Sequence, residues 1–194
     1  MRKSYLRLAP LVAIAACGTA FVLVAAPRSA ARSSFTFPDD GEVVLTLTST
    51  GTQLPVTTSV GLYASGTAVI QSTFFPRAVE IFLSVEEREA LLQEIADGGL
   101  AYYDAQVVAE EQKRLSGTRI VGNSADTDLA AFSVQLRVLK EAEVGTAPVL
   151  LSRTVVIYGA ARLAERFPTI RAYRALARLE ERFNEFIVRA TAAQ

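Results

Sequence analysis

Apolar and polar residues alternate along the chain in short runs, and two longer runs follow a helical period. Glu42 to Thr48 is rich in Val, Leu and Thr, with Val43, Leu45 and Leu47 expected on one face of a strand. Thr50-Gly51 and Pro55 break it. Thr57 to Tyr63 and Thr67 to Ser72 flank Ala64-Ser65-Gly66, a short Gly-containing loop that predicts a β-hairpin. Ala78 to Leu83 is a fourth strand or a lead-in to the helix that follows. From Leu129 to Lys140 the period is two: Phe132, Val134, Leu136 and Val138 on one side, Ser133, Gln135 and Arg137 on the other. Val149 to Tyr158 is a further strand, expected to pair with it as an antiparallel hairpin.

Helical spacing marks two other segments. Ser84-Val85-Glu86-Glu87 is a capping box, and Leu91, Leu92 and Ile95 form the apolar face of a helix that Gly98-Gly99 stops near Asp97. The last helix spans about Ile170 to Thr191. Tyr173, Leu176, Leu179, Phe183, Phe186, Ile187 and Ala190 recur at steps of three and four, a stripe that needs a sheet to cover it. A short helix is expected from Gly159 to Phe167, and Leu100 to Leu115 fits more than one structure. Thr118 to Val121 is a possible short strand before the turn cluster at 122–126. Strands and helices are segregated, without βαβ alternation. The fold class is therefore α+β: an antiparallel sheet of five to six strands, covered on one face by two or three helices. The core is expected to hold Leu45, Leu92, Ile95, Phe132, Val134, Leu136, Val155, Ile157, Leu176, Leu179 and Phe183.

The N-terminus changes the picture from fold to destination. Arg2, Lys3 and Arg7 precede an uncharged run from Leu8 to Ala26, closed by Arg28 and Arg32. That is the layout of an export signal, so residues 1–31 are assigned to a signal peptide or membrane anchor, 32–41 to a linker and 42–191 to a single α+β domain. Three fates compete. The apolar run is near the length that spans a bilayer as a helix. Ser29 and Ala31 fit the −3 and −1 positions of signal-peptidase cleavage, which would leave Arg32 first. Ile14-Ala15-Ala16-Cys17-Gly18 resembles a bacterial lipobox, and that resemblance implies Cys17 as the lipid site. The residues after Cys17 stay apolar where lipoproteins turn polar. The expected location is extracytoplasmic, membrane-anchored or secreted.

Composition narrows the chemistry. Of 194 residues, 20 are Lys or Arg and 20 are Asp or Glu. Removing residues 1–31 takes away Arg2, Lys3, Arg7 and Arg28 and leaves 16 basic against 20 acidic groups, a charge of −4. A mildly acidic domain lacks the basic face of a nucleic-acid binder. There is no His, no Trp and no Cys besides Cys17. His- or Cys-based zinc and copper sites, Ser-His-Asp and Cys-His mechanisms are thereby excluded, and no disulfide can form within the exported part. Asp/Glu chemistry, a Ser/Lys dyad, Tyr or an oxygen-ligand metal site remain; no cofactor is expected. Asn123, Ser124, Asp126 and Asp128 form the tightest oxygen-rich cluster, a weak candidate for calcium beside its role as a turn. Arg171, Arg174, Arg178 and Arg182 form a ladder that could meet anionic lipid or phosphate, although the interleaved Glu181 and Glu185 make a solvated helix face. Tyr102-Tyr103 is an aromatic pair, one expected in the core and one half-exposed.

The order of elements also carries a resemblance. LPVTTSVGLYASGTAVIQ leads to LSVEEREALLQEIADGGL, a turn with Asp126 enters the long hairpin, and FPTIRAYRALARLEERF begins the last helix. This is similar to small exported bacterial proteins and lipoproteins whose cores resemble the emfourin type of protease inhibitor, over roughly residues 42–188. The relatives' Gly/Asp-Gly turn is here Tyr63-Ala64-Ser65-Gly66, without the Asp, and no inhibitory residue can be transferred. Export, the missing catalytic repertoire and this resemblance together suggest a non-enzymatic, protein-binding envelope module with another envelope protein as partner, and the N-terminal segment gives it the membrane as a second partner. The alternative is a carboxylate-based hydrolase acting on cell-wall or glycan material, with Asp104 and Asp126 as its least implausible carboxylates. A small-ligand carrier would need a large apolar pocket behind the last helix.

Overall fold

A computed structural model describes residues 35–51, 56–117, 130–142 and 146–194. The signal or anchor segment with Cys17 and the Asn123, Asp126 and Asp128 cluster lie outside the described residues, as does the strand expected at 118–121. Among the described residues no helix is long and apolar enough to cross a membrane.

Seven strands build one sheet: β1 (Phe35–Thr36), β2 (Val43–Thr50), β3 (Thr57–Tyr63), β4 (Thr67–Ser72), β5 (Val79–Phe82), β6 (Ala131–Lys140) and β7 (Val149–Tyr158). Across the sheet the order is β7, β6, β2, β3, β4, β5, and every pairing is antiparallel. β1 continues along the same edge of β6 as β2, since β7 occupies the other edge from end to end. The architecture is thus the expected α+β sheet, with six main strands and a two-residue addition. That addition comes from the stretch read as a linker: Phe35 is buried and its ring lies 6.0 Å from that of Tyr102. The excursion between β1 and β2 is pinned to β6 by Arg137, which pairs with both Asp40 and Glu42 at 2.6 Å.

The period-two pattern of β6 holds. Phe132, Val134, Leu136 and Val138 are all buried, and their partners Leu45, Leu47 and Val155 lie on the same side. β2 departs from its expected register at one point. A bulge between Val43 and Leu45 places Val44 in the core, while Val43 leans over Gly61 on the opposite face. The inserted residue breaks the alternation that the sequence pattern predicts for Val43. The face away from the helices is lined centrally by Thr46, Thr48, Ser59, Ser133 and Gln135, hydroxyls and an amide that water can satisfy.

Helices α1 (Val85–Gly98) and α4 (Arg171–Ala192) cover the other face; a 3-10 turn (Leu100–Tyr102) and α2 (Ala105–Ser116) follow α1, and α3 (Ala160–Arg166) precedes α4. The Ser84 capping box forms in both directions: Ser84 Oγ accepts from the Glu87 amide, and Glu87 accepts from the Ser84 amide at 2.7 Å. Leu91 and Ile95 are fully buried; Leu92 is only partly so, and Val85 is exposed. The α4 stripe buries Tyr173, Leu176, Leu179, Phe183, Phe186 and Ala190, with Phe183 edge-on to Phe132 at 5.8 Å. α1 and α4 run antiparallel, for Glu94 pairs with Arg182 and Glu87 with Arg189. At the end of α1, Gly98 touches α4 so closely that a Cβ there would overlap the Cβ of Ala175.

The ambiguous stretch after α1 resolves into the 3-10 turn and α2. Asp104 caps α2 by accepting from the amides of Gln106 and Val107. Gln112 is the one buried residue of this helix, and the Tyr173 hydroxyl donates to its Oε1 at 2.8 Å.

Candidate functional site

Two places offer chemistry: the outer edge of β7, and a cleft between α1 and α4.

β7 ends the sheet. Among the described residues its outer edge has no strand partner over ten residues. Val149, Leu150, Val156 and Tyr158 are exposed along it, while Val155 and Ile157 anchor the strand to the core. Edge strands normally carry charges or prolines that discourage pairing. β7 has one charge, Arg153, whose guanidinium folds back and donates to the Ser152 carbonyl at 2.9 Å. β5, the opposite edge, is shorter, and the Phe82 carbonyl there accepts from Arg189 at 2.7 Å.

The cleft has a volume of about 350 Å³. Ala96, Gly98 and Ala175 form its floor, small residues at the point where the two helices touch. α1 contributes Glu94 and Asp97, one turn apart; α4 contributes Arg171, Arg174 and Arg178. The arginine ladder seen in the sequence therefore divides. Arg182 is engaged, at 2.9 Å from Glu185 and 3.7 Å from Glu94. Arg171, Arg174 and Arg178 are exposed and make no hydrogen bond or ion pair among the described residues.

Glu94 is the unusual group. It follows Leu91 by three positions, so it borders the buried stripe and α4 closes over it. Its side chain keeps 13% of its exposure, and its Oε2 is buried with no hydrogen-bond partner. Burial pushes the carboxyl above the ordinary glutamate value, and the attraction of Arg182 and Arg178 offsets this only in part. The ion pair and the upward shift oppose each other; with a contact as long as 3.7 Å, desolvation prevails. Asp97, by contrast, accepts from Gln93 at 2.7 Å.

This has a consequence for stability. A carboxyl raised above its unfolded value holds its proton longer in the native state. The stability it contributes is full below pH 4.5 and is lost as pH rises through the raised value. Denaturant unfolding of the wild type and of Glu94→Gln should give a stability difference that moves against the wild type as pH rises above 4.5. A difference that stays flat would mean that the Glu94 carboxyl is not desolvated.

The other candidates from the sequence fall elsewhere. Asp104 is an N-cap, and Asp126 lies outside the described residues with Asn123 and Asp128. Tyr102 is exposed against Phe35, and Tyr103 packs against the core. Glu87 belongs to the capping box and to Arg189, at 2.7 Å. Behind α4, an open apolar groove of about 480 Å³ lies between Phe74, Phe75, Phe183 and Ile187. Among the described residues no three Asp, Glu, His or Cys side chains gather as a metal site. Glu94 and Asp97 were not singled out by sequence; their spacing on one helix was visible, but the arginines opposite them come from a helix far along the chain. No family model, curated protein or solved structure matches the chain.

Proposed function

We propose that the chain is an exported cell-envelope protein, anchored by its N-terminal segment or released from it, that acts without catalysis by binding an extended segment of another exported protein along β7. The edge of β7 carries this proposal: ten residues whose outward backbone groups lack a strand partner among the described residues, bordered by exposed Val149, Leu150, Val156 and Tyr158. Strand addition would satisfy those backbone groups, and alternate side chains would supply specificity. The resemblance to emfourin-type inhibitors makes exported proteases the first partners to test.

Photo-crosslinking residues placed at Leu150 and Val156 in cells should capture one partner protein that the same residue at Phe82, on the opposite edge, does not. Val156→Lys should abolish capture from position 150 while changing stability by no more than about 0.5 kcal/mol, as for other exposed sites. Capture of the same bystanders from both edges, or of a second copy of this chain alone, would overturn the proposal.

A carboxylate-based hydrolase of cell-wall or glycan material is the second possibility, favoured by one observation: the raised carboxyl of Glu94 in a cleft with Asp97. Glycosidic cleavage sets two carboxyl groups on either side of the bond, about 5–10 Å apart. These two come from one helix, a turn apart. Release of reducing ends from peptidoglycan by the wild type and not by Glu94→Gln would establish hydrolysis in place of binding.

A further inference from the structure

We propose that the segment docked along β7 is acidic: an extended stretch of an exported protein whose carboxylates meet the arginines of β7 and of the α3–α4 turn. This deepens the reading of β7 as a docking edge and rests on it.

Charge is segregated in this domain. From Val149 to Arg178 the chain carries six basic residues, Arg153, Arg162, Arg166, Arg171, Arg174 and Arg178, and one acidic residue, Glu165. That is a net charge of +5, while the remainder of residues 32–194 holds 10 basic and 19 acidic groups, a charge of −9. All six arginines are exposed. Elsewhere arginine is matched by carboxylate: Arg137 with Asp40 and Glu42, Arg182 with Glu185, Arg189 with Glu87. Within the basic stretch Arg178 is drawn to Glu94, but Arg153, Arg166, Arg171 and Arg174 form no ion pair among the described residues. Arg153 donates to its neighbour's carbonyl, and Arg166 lies over the ring of Phe167 at 5.6 Å.

Position ties this charge to the edge. Arg153 sits midway along β7, opposite Leu136 of β6. Only Gly159 separates β7 from α3, so Arg162 and Arg166, one helical turn apart, follow the end of the strand at which Val156 and Tyr158 are exposed. The opposite edge has the other sign: β5 carries Glu80, and Glu86, Glu87 and Glu89 open α1 directly after it. A carboxylate-rich segment is therefore attracted to β7 and repelled from β5, and charge selects the edge before any backbone hydrogen bond forms. An anionic lipid surface would answer the arginines and leave the backbone groups of β7 unmet; an acidic extended polypeptide answers both.

The test uses the full-length chain with the photo-crosslinking residue at Leu150. The captured segment, mapped by mass spectrometry, should carry a net negative charge. Arg162→Glu together with Arg166→Glu should lower capture by about tenfold, because two exposed attractions become repulsions. Arg162→Lys together with Arg166→Lys should keep capture within about twofold of the wild type, since the charge is retained. Both positions are exposed, and circular dichroism checks that each pair is folded. In membrane extracts, raising the salt from about 0.05 M to about 0.5 M should weaken capture by the wild type. A neutral or basic captured segment, capture insensitive to salt, capture unchanged in the glutamate pair, or an equal loss in the lysine pair overturns the acidic partner and leaves β7 as the docking edge. No capture from position 150 in the wild type overturns both. A preference for phosphatidylglycerol over phosphatidylcholine vesicles that the glutamate pair loses while capture holds would assign the arginines to a lipid surface and overturn the proposal.

Discussion

Replacing Phe132 by alanine should destabilise the protein by about 3–5 kcal/mol, the range found when a buried aromatic ring is truncated. Phe132 is fully buried on β6, the strand paired on both sides, and its ring meets the edge of Phe183 on α4 at 5.8 Å and 68°. Sheet and last helix therefore lose contact at the same point. Domains are stable by only about 5–15 kcal/mol in total, so this single change should be visible as a large fall in the denaturant midpoint. Phe183→Ala should cost a comparable amount. The double variant should fall short of the sum by about 0.5–1.5 kcal/mol, the coupling expected of an edge-to-face pair. A loss under about 1 kcal/mol for Phe132→Ala would place the ring at the surface and refute the register of β6.

Gly98→Ala should destabilise, against the usual sign. In a helix the exchange is ordinarily favourable by roughly 0.8–1 kcal/mol. Here the new methyl would overlap the Cβ of Ala175, with Leu100 Cγ at 3.2 Å on another side. Neither neighbour is the end of a flexible side chain, so the helices must separate. Overpacking of this kind costs about 1–3 kcal/mol, which exceeds the propensity gain at most of that range. Thermal unfolding should show a lowered midpoint for Gly98→Ala and recovery in the double variant Gly98→Ala, Ala175→Gly. A raised midpoint in the single variant would show that α1 and α4 have slack at their crossing.

What could be read in the sequence and what could not divide along physical lines. β6 was legible because each of its alternate residues faces one environment from end to end. The boundaries of β3 and β4 were legible because the turn between them is short and marked by glycine. Val43 and Val44 were not, since a bulge adds a residue without altering composition. α2 was obscured for another reason: with Gln112 as its one buried residue and Val107 exposed, it has no apolar stripe to show its period. The same limit governs the cleft. Arg171, Arg174 and Arg178 formed a visible ladder, yet interleaved glutamates suggested a solvated face. Only packing against α1 reveals that Arg182 and Arg178 face Glu94 and that Glu94 is covered.

The position of β6 has a consequence for the route by which the chain folds. β2 to β5 close through neighbours in sequence, so that part of the sheet can assemble from local hairpins. β6 comes much later in the chain and must insert beside β2, closing a long loop before any contact rewards it. Until it does, β2 is itself an edge, with Leu45 and Leu47 bare to whatever approaches. The rate at which β6 arrives thus sets how long the newly made domain stays open to aggregation, and substitutions that speed the β6–β7 hairpin would shorten that interval without altering the finished structure.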